Sequence, residues 1–416
     1  MIKSIRLKNW KSYDDSVLYI DPLTILIGMN ASGKSNVIDA LIFINRIAGG
    51  IGIFEAISGD ASLNALRGGI DWVCKKNANA FTIELVIEYE EIEYEYSITV
   101  EVAAVKALVK EEKLYQKNGT NEGIRLFSTT LRDSVLLNIP TYYSTGKQGK
   151  EQNFELSRTV SILYQTKTLH LKKREITVIA DHLLSLMRGI FVLNPIPDHM
   201  RGYSPLAERL MTDGSNIAGV LAALNAAKKK EILTKLTSYL RNIPEKDIVS
   251  VWTEYVGKFN TDAMLYCKEG WKKDDDCIVD ARGMSDGTLR FLAIVTAMLI
   301  NERNKLIVVE EADNGLHPSR VDNLLNMLRE LGIERNIDVI ITTHNPALLN
   351  AAGTSMIPFI TVAHRNQSGQ SELTLLEDIE KLPKLLSAGN IGELAAGGKI
   401  ESALSRRKEN EQSSDH

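Results

Sequence analysis

The chain has 416 residues, of which 44% are hydrophobic and 25% charged, and its formal net charge at pH 7 is −4. This composition is typical of a folded protein with one large or several smaller domains, and it excludes nucleic-acid binding through a global basic field. No apolar run reaches the about 18 residues that span a membrane, nothing resembles a signal peptide, and three scattered cysteines predict free thiols in a reducing cytoplasm.

A strand, a glycine-bounded loop and a helix follow one another near the N-terminus. Two short strands, Met1–Leu7 and Ser16–Ile20, are predicted to precede a buried strand at Leu23–Ile27. Gly28–Ser35 then matches G-x-x-x-x-G-K-[ST], and a helix is predicted over Asn36–Ile44. This order is the context that a phosphate-binding loop requires, because glycines let N–H groups point inward and the helix start attracts an anion.

The loop predicts the position of a nucleoside triphosphate. Lys34 is placed to reach the β- and γ-phosphates, and the Ser35 hydroxyl to bind Mg²⁺. The other predicted nucleotide contacts of this stretch are Asn30, Ser32, Gly33 and Asn36.

The next part of the chain alternates between strand and loop patterns. Gly-rich Ala48–Asp60 is predicted to be a surface loop, and polar Tyr142–Asn153 a mobile loop. Between them, Phe81–Val102 alternates apolar and charged residues, which predicts two antiparallel strands turning near Glu90 and Glu91.

Helical periodicity dominates from about residue 173 to 255, which predicts an inserted helical lid or arm. The predicted helices are Ile176–Arg188, Leu206–Met211 and Asn216–Leu240. Two basic clusters, Lys172–Arg174 and Lys228–Lys230, are either solvated helix faces or contacts to nucleic acid.

A second helix start suited to an anion follows two strands predicted at Ala263–Lys268 and Asp276–Asp280. Ser285 and Asp286 are good cap residues, Gly287 allows close backbone approach, and an apolar helix covers Phe291–Ile300. Because one nucleotide does not need two such sites in one chain, we expect this helix to face the nucleotide of a second copy. The alternative is an ordinary capped helix.

Two apolar strands near the C-terminus end in polar residues. The strand Lys305–Val309 ends in Glu310 and Glu311, and we expect Glu310 to hold the Mg²⁺ hydration shell and Glu311 to polarise the attacking water. Solvent-exposed acids are the alternative. A helix is predicted over Val321–Leu331, with Pro318 at its start and Gly332 ending it.

The second of these strands, Ile337–Thr343, leads to His344. We expect His344 to hydrogen-bond the γ-phosphate, and a purely structural histidine is the alternative. The charged tail Arg406–His416 is predicted to be disordered, and no metal site is expected at Asp274–Asp276.

Five of these stretches together resemble ABC-type ATPase heads of the SMC, RecF and OLD kind, in the family's order. The resemblance implies an α/β ABC-type P-loop head with a mixed or parallel central sheet, an N-terminal antiparallel β-subdomain and an inserted helical lid. The stretches are Leu7–Tyr13, Gly28–Ser35, Met284–Arg290, Val308–Pro318 and Thr342–Leu349, with weaker echoes at Asp213–Asn216 and Gly389–Leu394.

The resemblance also implies residue roles and a domain division. Lys11 stands where the family often has a basic residue near the phosphates, Ser285 and Gly287 contact ATP of the partner, and Glu311 and His344 act in catalysis. Departures are Glu310 for the commoner Asp, Ala312 and Asp313 for Pro and Glu, and Thr288 for the transporter glutamine. The Mg²⁺-contacting glutamine is not placed among Gln148, Gln152 and Gln165. The predicted domains are 1–170, 171–262, 263–385 and 386–416.

The predicted function is Mg²⁺-dependent ATP hydrolysis used as a conformational switch. Two or more copies pair head to tail around ATP, and opening or closing controls a separate effector, a nuclease in antiphage defence. Alternatives are a RecF-like DNA-binding clamp in repair and a low-turnover ATP-binding scaffold.

Overall fold

The computed structural model describes residues 1–118, 121–131, 135–145, 150–241, 248–270, 277–302, 305–380, 382–387, 389–400 and 402–404. The chain folds as two units. The first comprises residues 1–21, 28–190 and 361–375, and the second comprises residues 22–27, 191–360 and the chain from 376 onward.

Strands predominate in the first half of the chain. Its elements are β1 (Ile2–Lys8), β2 (Asp15–Tyr19), β3 (Leu23–Ile27), α1 (Lys34–Ala48), α2 (Ile53–Ser58), β4 (Ala80–Tyr89), β5 (Ile92–Ala103), β6 (Lys106–Asn118), β7 (Asn121–Thr129), β8 (Asn138–Ser144), β9 (Glu151–Ser157), α3 (Ile162–Thr166) and α4 (Glu175–Arg188).

Helices and strands alternate in the second half. Its elements are β10 (Ile190–Leu193), α5 (Pro197–Met200), β11 (Ser204–Pro205), α6 (Ile217–Ala223), α7 (Ala226–Arg241), β12 (Ile248–Val256), β13 (Asp262–Glu269), β14 (Cys277–Asp280), α8 (Asp286–Ile300), β15 (Leu306–Val309), α9 (Pro318–Arg335), β16 (Asp338–Thr343), α10 (Pro346–Ala352), β17 (Ile360–Arg365), β18 (Ser371–Leu375), α11 (Leu382–Leu386) and α12 (Ile391–Ala396).

An antiparallel sheet organises the first unit. Within the described residues it has 8 strands in the order β2-β1-β4-β5-β6-β7-β8-β9. The predicted turn between β4 and β5 is confirmed, since Glu90 and Glu91 have φ of 52° and 63°, as a tight hairpin turn requires. The β17–β18 hairpin also belongs to this unit, and Ser371 bridges to Tyr13.

An aromatic cluster ties the β1–β2 connection to α1. The Trp10 ring is fully buried, with its centroid 5.9 Å from Phe43 and 4.8 Å from Phe81. Its indole Nε1 donates to the backbone oxygen of Asn36 at 2.7 Å, in the first turn of α1. Burial of these rings therefore positions the start of the helix that follows the glycine-rich loop.

Two charged side chains of the first unit, Arg158 and Glu112, are fully buried. The Arg158 guanidinium donates to the backbone oxygens of Val109 and Leu136 and to the Glu101 carboxylate, at 2.8, 2.7 and 2.6 Å. Glu112 accepts from the amides of Ile162 and Leu163 at 2.7 and 2.8 Å. Burial raises the pKa of Glu112 to about 7, although these donors favour its charged form.

Two loop predictions in this unit are wrong. Ala48–Asp60 contains α2, because Ile53 and Ile57 are both fully buried and anchor a helical turn. Tyr142–Asn153 contributes to the hairpin β8–β9, because Tyr143 is buried against Phe127 with ring centroids 5.5 Å apart. Residues 146–149, which include Gly146, Gln148 and Gly149, lie outside the described residues.

Parallel strands form the core of the second unit, as predicted. The strand order is β10-β15-β16-β3, and β15, β16 and β3 pair in parallel. Every residue of these three strands is buried, which is typical of a parallel sheet covered on both faces. A smaller antiparallel sheet has the order β11-β13-β12, with β14 paired to β13, so both strands predicted there are confirmed.

The predicted helical insert is wrong in several places. Leu206–Met211 is not helical, because the Asn216 side chain accepts from the Met211 amide at 2.8 Å and donates to the Arg209 backbone oxygen at 2.9 Å. Strand β12 occupies Ile248–Val256 within the predicted helical region. Asn216–Leu240 breaks into two helices at Asn225, whose side chain accepts from the Lys228 amide at 2.9 Å and so begins α7.

The helix predicted to end at Gly332 continues to Arg335. Asn336, with φ of 52°, ends it instead, while Gly332 lets the returning chain pack closely: a Cβ there would lie 3.0 Å from the backbone oxygen of Ile337.

The domain boundaries at residues 170, 262 and 385 stay a prediction. Asp274–Asp276 and the tail Arg406–His416 lie outside the described residues.

Cys74, Cys267 and Cys277 are free cysteines. Among the helices of the described residues, none combines the length and apolar character needed to cross a bilayer.

Replacing Gly392 with alanine should destabilise the second unit. The Gly392 amide donates to the Asn350 side chain at 2.9 Å, and a Cβ would lie 2.1 Å from the backbone oxygen of Pro346, so α12 would have to move off α10. We expect a loss of about 1–3 kcal/mol, larger than the about 1 kcal/mol that alanine gains within a helix.

Thermal unfolding of Gly392→Ala measures this loss. Gly202→Ala is the matched control in the same unit, because no atom lies within 4 Å of a Cβ built there. Equal midpoints for the two variants would show that the α10–α12 contact is loose.

Candidate functional site

The glycine-rich loop between β3 and α1 has the backbone of an anion cradle. Gly28, Ala31 and Gly33 have φ of 148°, 63° and 118°. A Cβ at Gly33 would lie 2.6 Å from the Ser371 hydroxyl and 2.7 Å from that of Tyr13, so only glycine fits. The Ser371 hydroxyl donates to the backbone oxygen of Ser32 at 2.6 Å and holds the loop in this shape.

Two polar side chains of this loop fit a phosphate group. The Lys34 ammonium lies over the loop and donates to the backbone oxygens of Gly28 and Met29 at 2.5 and 3.0 Å. The Ser32 hydroxyl is buried, and no described residue hydrogen-bonds to it. A phosphate oxygen would satisfy the buried hydroxyl and pair with the ammonium.

Of the other predicted nucleotide contacts in this unit, some are exposed and others are hydrogen-bonded within the protein. Asn30 and Ser35 are exposed, so both can reach a ligand or a metal ion. The side-chain amide of Asn36 instead donates to the Ser12 hydroxyl at 2.7 Å. Lys11 is almost fully buried and donates to the Asp39 carboxylate at 2.5 Å and to the Arg67 backbone oxygen at 2.6 Å. Its burial lowers the Lys11 pKa, and Asp39 opposes that shift.

A cavity of about 1210 Å³ lies beside this helix start in the first unit. Its lining includes Lys11 and Asn36, and three residues that sequence reasoning missed: Arg67, the exposed Trp72 and Arg365. Arg365 donates from Nε to the backbone oxygen of Ala31 at 2.9 Å. Neither arginine belongs to a local motif, and no spacing in the sequence connects Arg365 with the loop.

In the second unit, three parallel strands end at one sheet edge. Thr343 pairs with Ile27, and Val309 pairs with Ile341. Glu310 follows β15, His344 follows β16, and the chain leaves β3 at Ile27 directly into the glycine-rich loop. Ligands of α/β sheets bind at such carboxyl ends.

Glu310 and Glu311 lie in a turn just beyond β15 rather than at the end of the strand. Glu310 donates its amide to the backbone oxygen of Leu193 at 2.9 Å, and Glu311 has φ of 46°. The exposed Glu311 carboxylate accepts from the Asn314 side-chain amide at 3.0 Å. The backbone N–H of Glu311 donates to the Thr342 hydroxyl at 2.9 Å.

Asp313, which stands where the family more commonly has Glu, is a buried acid that the sequence did not mark as a site residue. It is 4% exposed, and none of the described residues hydrogen-bonds to its Oδ2. Burial raises the pKa of Asp313, opposed by the neighbouring Thr343 and Asn345 and by the charge of His344. The exposed His344 is thus accompanied by a carboxyl group that no sequence pattern indicated.

The start of α8 is built as expected. Ser285 caps the helix, and its hydroxyl accepts from the Thr288 amide at 3.2 Å. A Cβ at Gly287 would lie 2.6 Å from the backbone oxygen of Gly315, so glycine lets the loop after Glu311 pack on this helix start. The exposed Ser285 can reach a ligand from outside the chain.

Two of the three candidate glutamines have structural partners. Gln152 donates to the backbone oxygen of His170 at 3.1 Å, and Gln165 to that of Ser157 at 2.8 Å. The third, Gln148, lies outside the described residues. The glutamine near Mg²⁺ therefore stays unassigned.

A protein-family model matches most of the chain. Residues 23–350 match the profile of a protein family described as "AAA domain, putative AbiEii toxin, Type IV TA system". Among curated proteins, no sequence matches the chain.

Solved structures of SMC heads are similar to this chain. An SMC head bound to the C-terminal winged-helix domain of ScpA has a TM-score of 0.51 at 15% identity, covering 90% of this chain and 96% of that one. The SMC head of Thermotoga maritima has a TM-score of 0.43 at 14% identity, covering 90% and 98%. That of Pyrococcus furiosus, bound to the C-terminal domain of ScpA, has 0.46 at 14%, covering 93% and 99%.

Proposed function

The chain belongs to the AAA domain family whose profile matches residues 23–350 and has an SMC-head fold, and on that premise we propose that it hydrolyses ATP with Mg²⁺. One observation supports this most strongly. The strand that leads into the glycine-rich loop, the strand that precedes Glu310 and the strand that precedes His344 end at the same sheet edge. ATP hydrolysis in such a sheet requires a phosphate loop, a metal-binding acid and a phosphate sensor at the same edge.

Each side chain has a defined part in the proposed reaction. Lys34 and the buried Ser32 hydroxyl would bind phosphate oxygens, and Ser35 and Glu310 would hold a Mg²⁺ ion, whose charge would offset that of the phosphates. Glu311 accepts the proton of the attacking water, and the exposed His344 donates a hydrogen bond to the terminal phosphate.

The proposed active form is a pair of chains. Ser285 and Gly287 lie at a helix N-terminus, which favours an anion, and in our proposal that anion is the γ-phosphate of ATP bound by the partner's loop. Loss of the γ-phosphate then removes these contacts and opens the pair.

Mixing two inactive variants tests this arrangement. Lys34→Ala damages the phosphate loop, and Ser285→Arg blocks the exposed helix start. Each variant alone should be inactive. In a mixed pair, one site combines both intact parts, so an equal mixture should recover about a quarter of wild-type phosphate release, because half of randomly formed pairs are mixed and each has one working site.

No recovery in the mixture, with both variants folded, would contradict a shared site. Full activity of Ser285→Arg alone would contradict it too, since the blocked helix start would then have no part in the reaction.

We further propose that the switch controls a separate effector, a nuclease in antiphage defence. Two observations support a partner. Across the described residues, no group of three or more acidic, histidine or cysteine side chains could hold a metal ion for nuclease chemistry. The family description names a "putative AbiEii toxin" of a "Type IV TA system". Copurification of a protein encoded by a neighbouring gene tests this, and its absence under ATP-bound conditions counts against an effector.

A DNA-binding clamp is a second candidate, because Arg67, Lys76 and Arg365 line the cavity that also contains the exposed Trp72. Basic side chains beside an aromatic ring suit nucleic acid. Hydrolysis stimulated by DNA and steeply reduced by salt would favour this function. The three free cysteines support a cytoplasmic location for either function.

A further inference from the structure

The guanidinium of Arg201, at the end of α5, braces the loop before α8. Its Nη1 donates to the backbone oxygens of Ala281, Arg282 and Met284 at 3.3, 3.0 and 2.7 Å. Its Nη2 donates to the Asp286 carboxylate in the first turn of α8. One side chain therefore binds three carbonyl groups and one carboxylate immediately around Ser285.

Helix α5, which ends directly before Arg201, is itself held against α8. His199 pairs with Asp213, with Nδ1 and Oδ2 3.0 Å apart. Gly214 has φ of 75°, and a Cβ there would lie 3.2 Å from the Met200 sulfur and 3.5 Å from the Ala293 Cβ. The segment Asp213–Asn216, which the proposed reaction does not use, therefore keeps α5 in contact with α8.

Asp286 creates an electrostatic conflict that Arg201 can resolve. A carboxylate in the first turn favours the helix, and this one is exposed. Yet it adjoins Ser285, and under the proposed function that helix start meets a terminal phosphate. Two negative groups facing each other across an interface repel, and such juxtaposition weakens binding.

We propose that Arg201 is a positioning residue that neutralises Asp286 and fixes the backbone around Ser285, so that α8 can accept the γ-phosphate of a second copy. This inference rests on the proposed function. The Asp286 carboxylate stabilises the helix start, Arg201 cancels its charge toward the ligand, and the hydrogen bonds from Arg201 hold the three carbonyl groups in place.

A charge cycle tests the proposal. Arg201→Met should raise the ATP concentration for half-maximal pairing of chains about tenfold, because an uncompensated carboxylate then faces the phosphate. Adding Asp286→Asn to Arg201→Met should recover most of that loss, and Arg201→Lys, which keeps the charge, should lose less than Arg201→Met. At saturating ATP, turnover should recover toward wild type, because Glu311 is untouched.

Binding of a fluorescent ATP analogue to the unpaired chain serves as the internal control, since the phosphate loop lies in the other unit and should bind equally in all four proteins. Thermal unfolding verifies that each variant folds. The proposal is overturned if the double variant pairs no better than Arg201→Met, or if Arg201→Met pairs like wild type.

The proposed function and this inference fail in different ways. A wild-type chain that neither pairs with ATP nor hydrolyses it rejects both. A wild-type chain that does both, with an unaltered Arg201→Met, rejects the role of Arg201 alone.

Discussion

Glu311→Gln should stop ATP hydrolysis and leave a stable, ATP-loaded pair of chains. The amide keeps the shape of the carboxylate but cannot accept the proton of the attacking water. General bases contribute at least about 10²-fold, so phosphate release should fall by that factor or more. Nucleotide binding should persist, because the phosphate loop is unchanged. Phosphate release and the elution volume on size exclusion measure both effects.

The structure makes this variant a clean probe. The backbone around Glu311 is fixed by the bond from its amide to Thr342, and the φ of 46° belongs to the turn rather than to the carboxylate. The glutamine oxygen can still accept from the Asn314 amide. Glu377→Gln, at an exposed acid of the same unit, is the matched control and should hydrolyse ATP normally. Turnover by Glu311→Gln at the wild-type rate would remove the assignment of the base.

Lys34→Ala should weaken nucleotide binding, the step that precedes hydrolysis. A hydrogen bond between an ammonium and a charged oxygen contributes about 1.5–3 kcal/mol, so losing two should reduce ATP affinity about 100-fold or more. The ammonium already lies over the loop, within hydrogen-bond distance of two of its carbonyl groups. Calorimetric titration with ATP and Mg²⁺ measures the change.

The loop should keep its shape in this variant, because Ser371 and the glycine conformations hold it independently of Lys34. Without nucleotide, the unfolding temperature should therefore stay near that of wild type. Lys106→Ala removes an exposed lysine of the same unit and is the control for charge alone. Equal ATP affinity of the two variants would mean that the loop does not bind the phosphates.

Local patterns predicted most of the elements around the candidate site. The uninterrupted apolar strands, the glycines and the cap residue Ser285 each act within a few residues, so period and spacing report them directly. Predictions failed where a tertiary contact decided the outcome. α2 forms because Ile53 and Ile57 find a buried environment, and β8–β9 forms because Tyr143 packs on Phe127. A polar, glycine-containing sequence shows neither contact.

The sequence by itself determined that this chain has a glycine-rich loop between a strand and a helix, an acid pair after one strand and a histidine after another, because these depend on neighbours along the chain. The tertiary structure alone decided which distant groups accompany them. Arg365 contacts the loop from the far end of the chain, Asp313 lies buried beside His344, and Arg201 pairs with Asp286. Charge compensation and burial depend on distances in space, and residue order does not encode those distances locally.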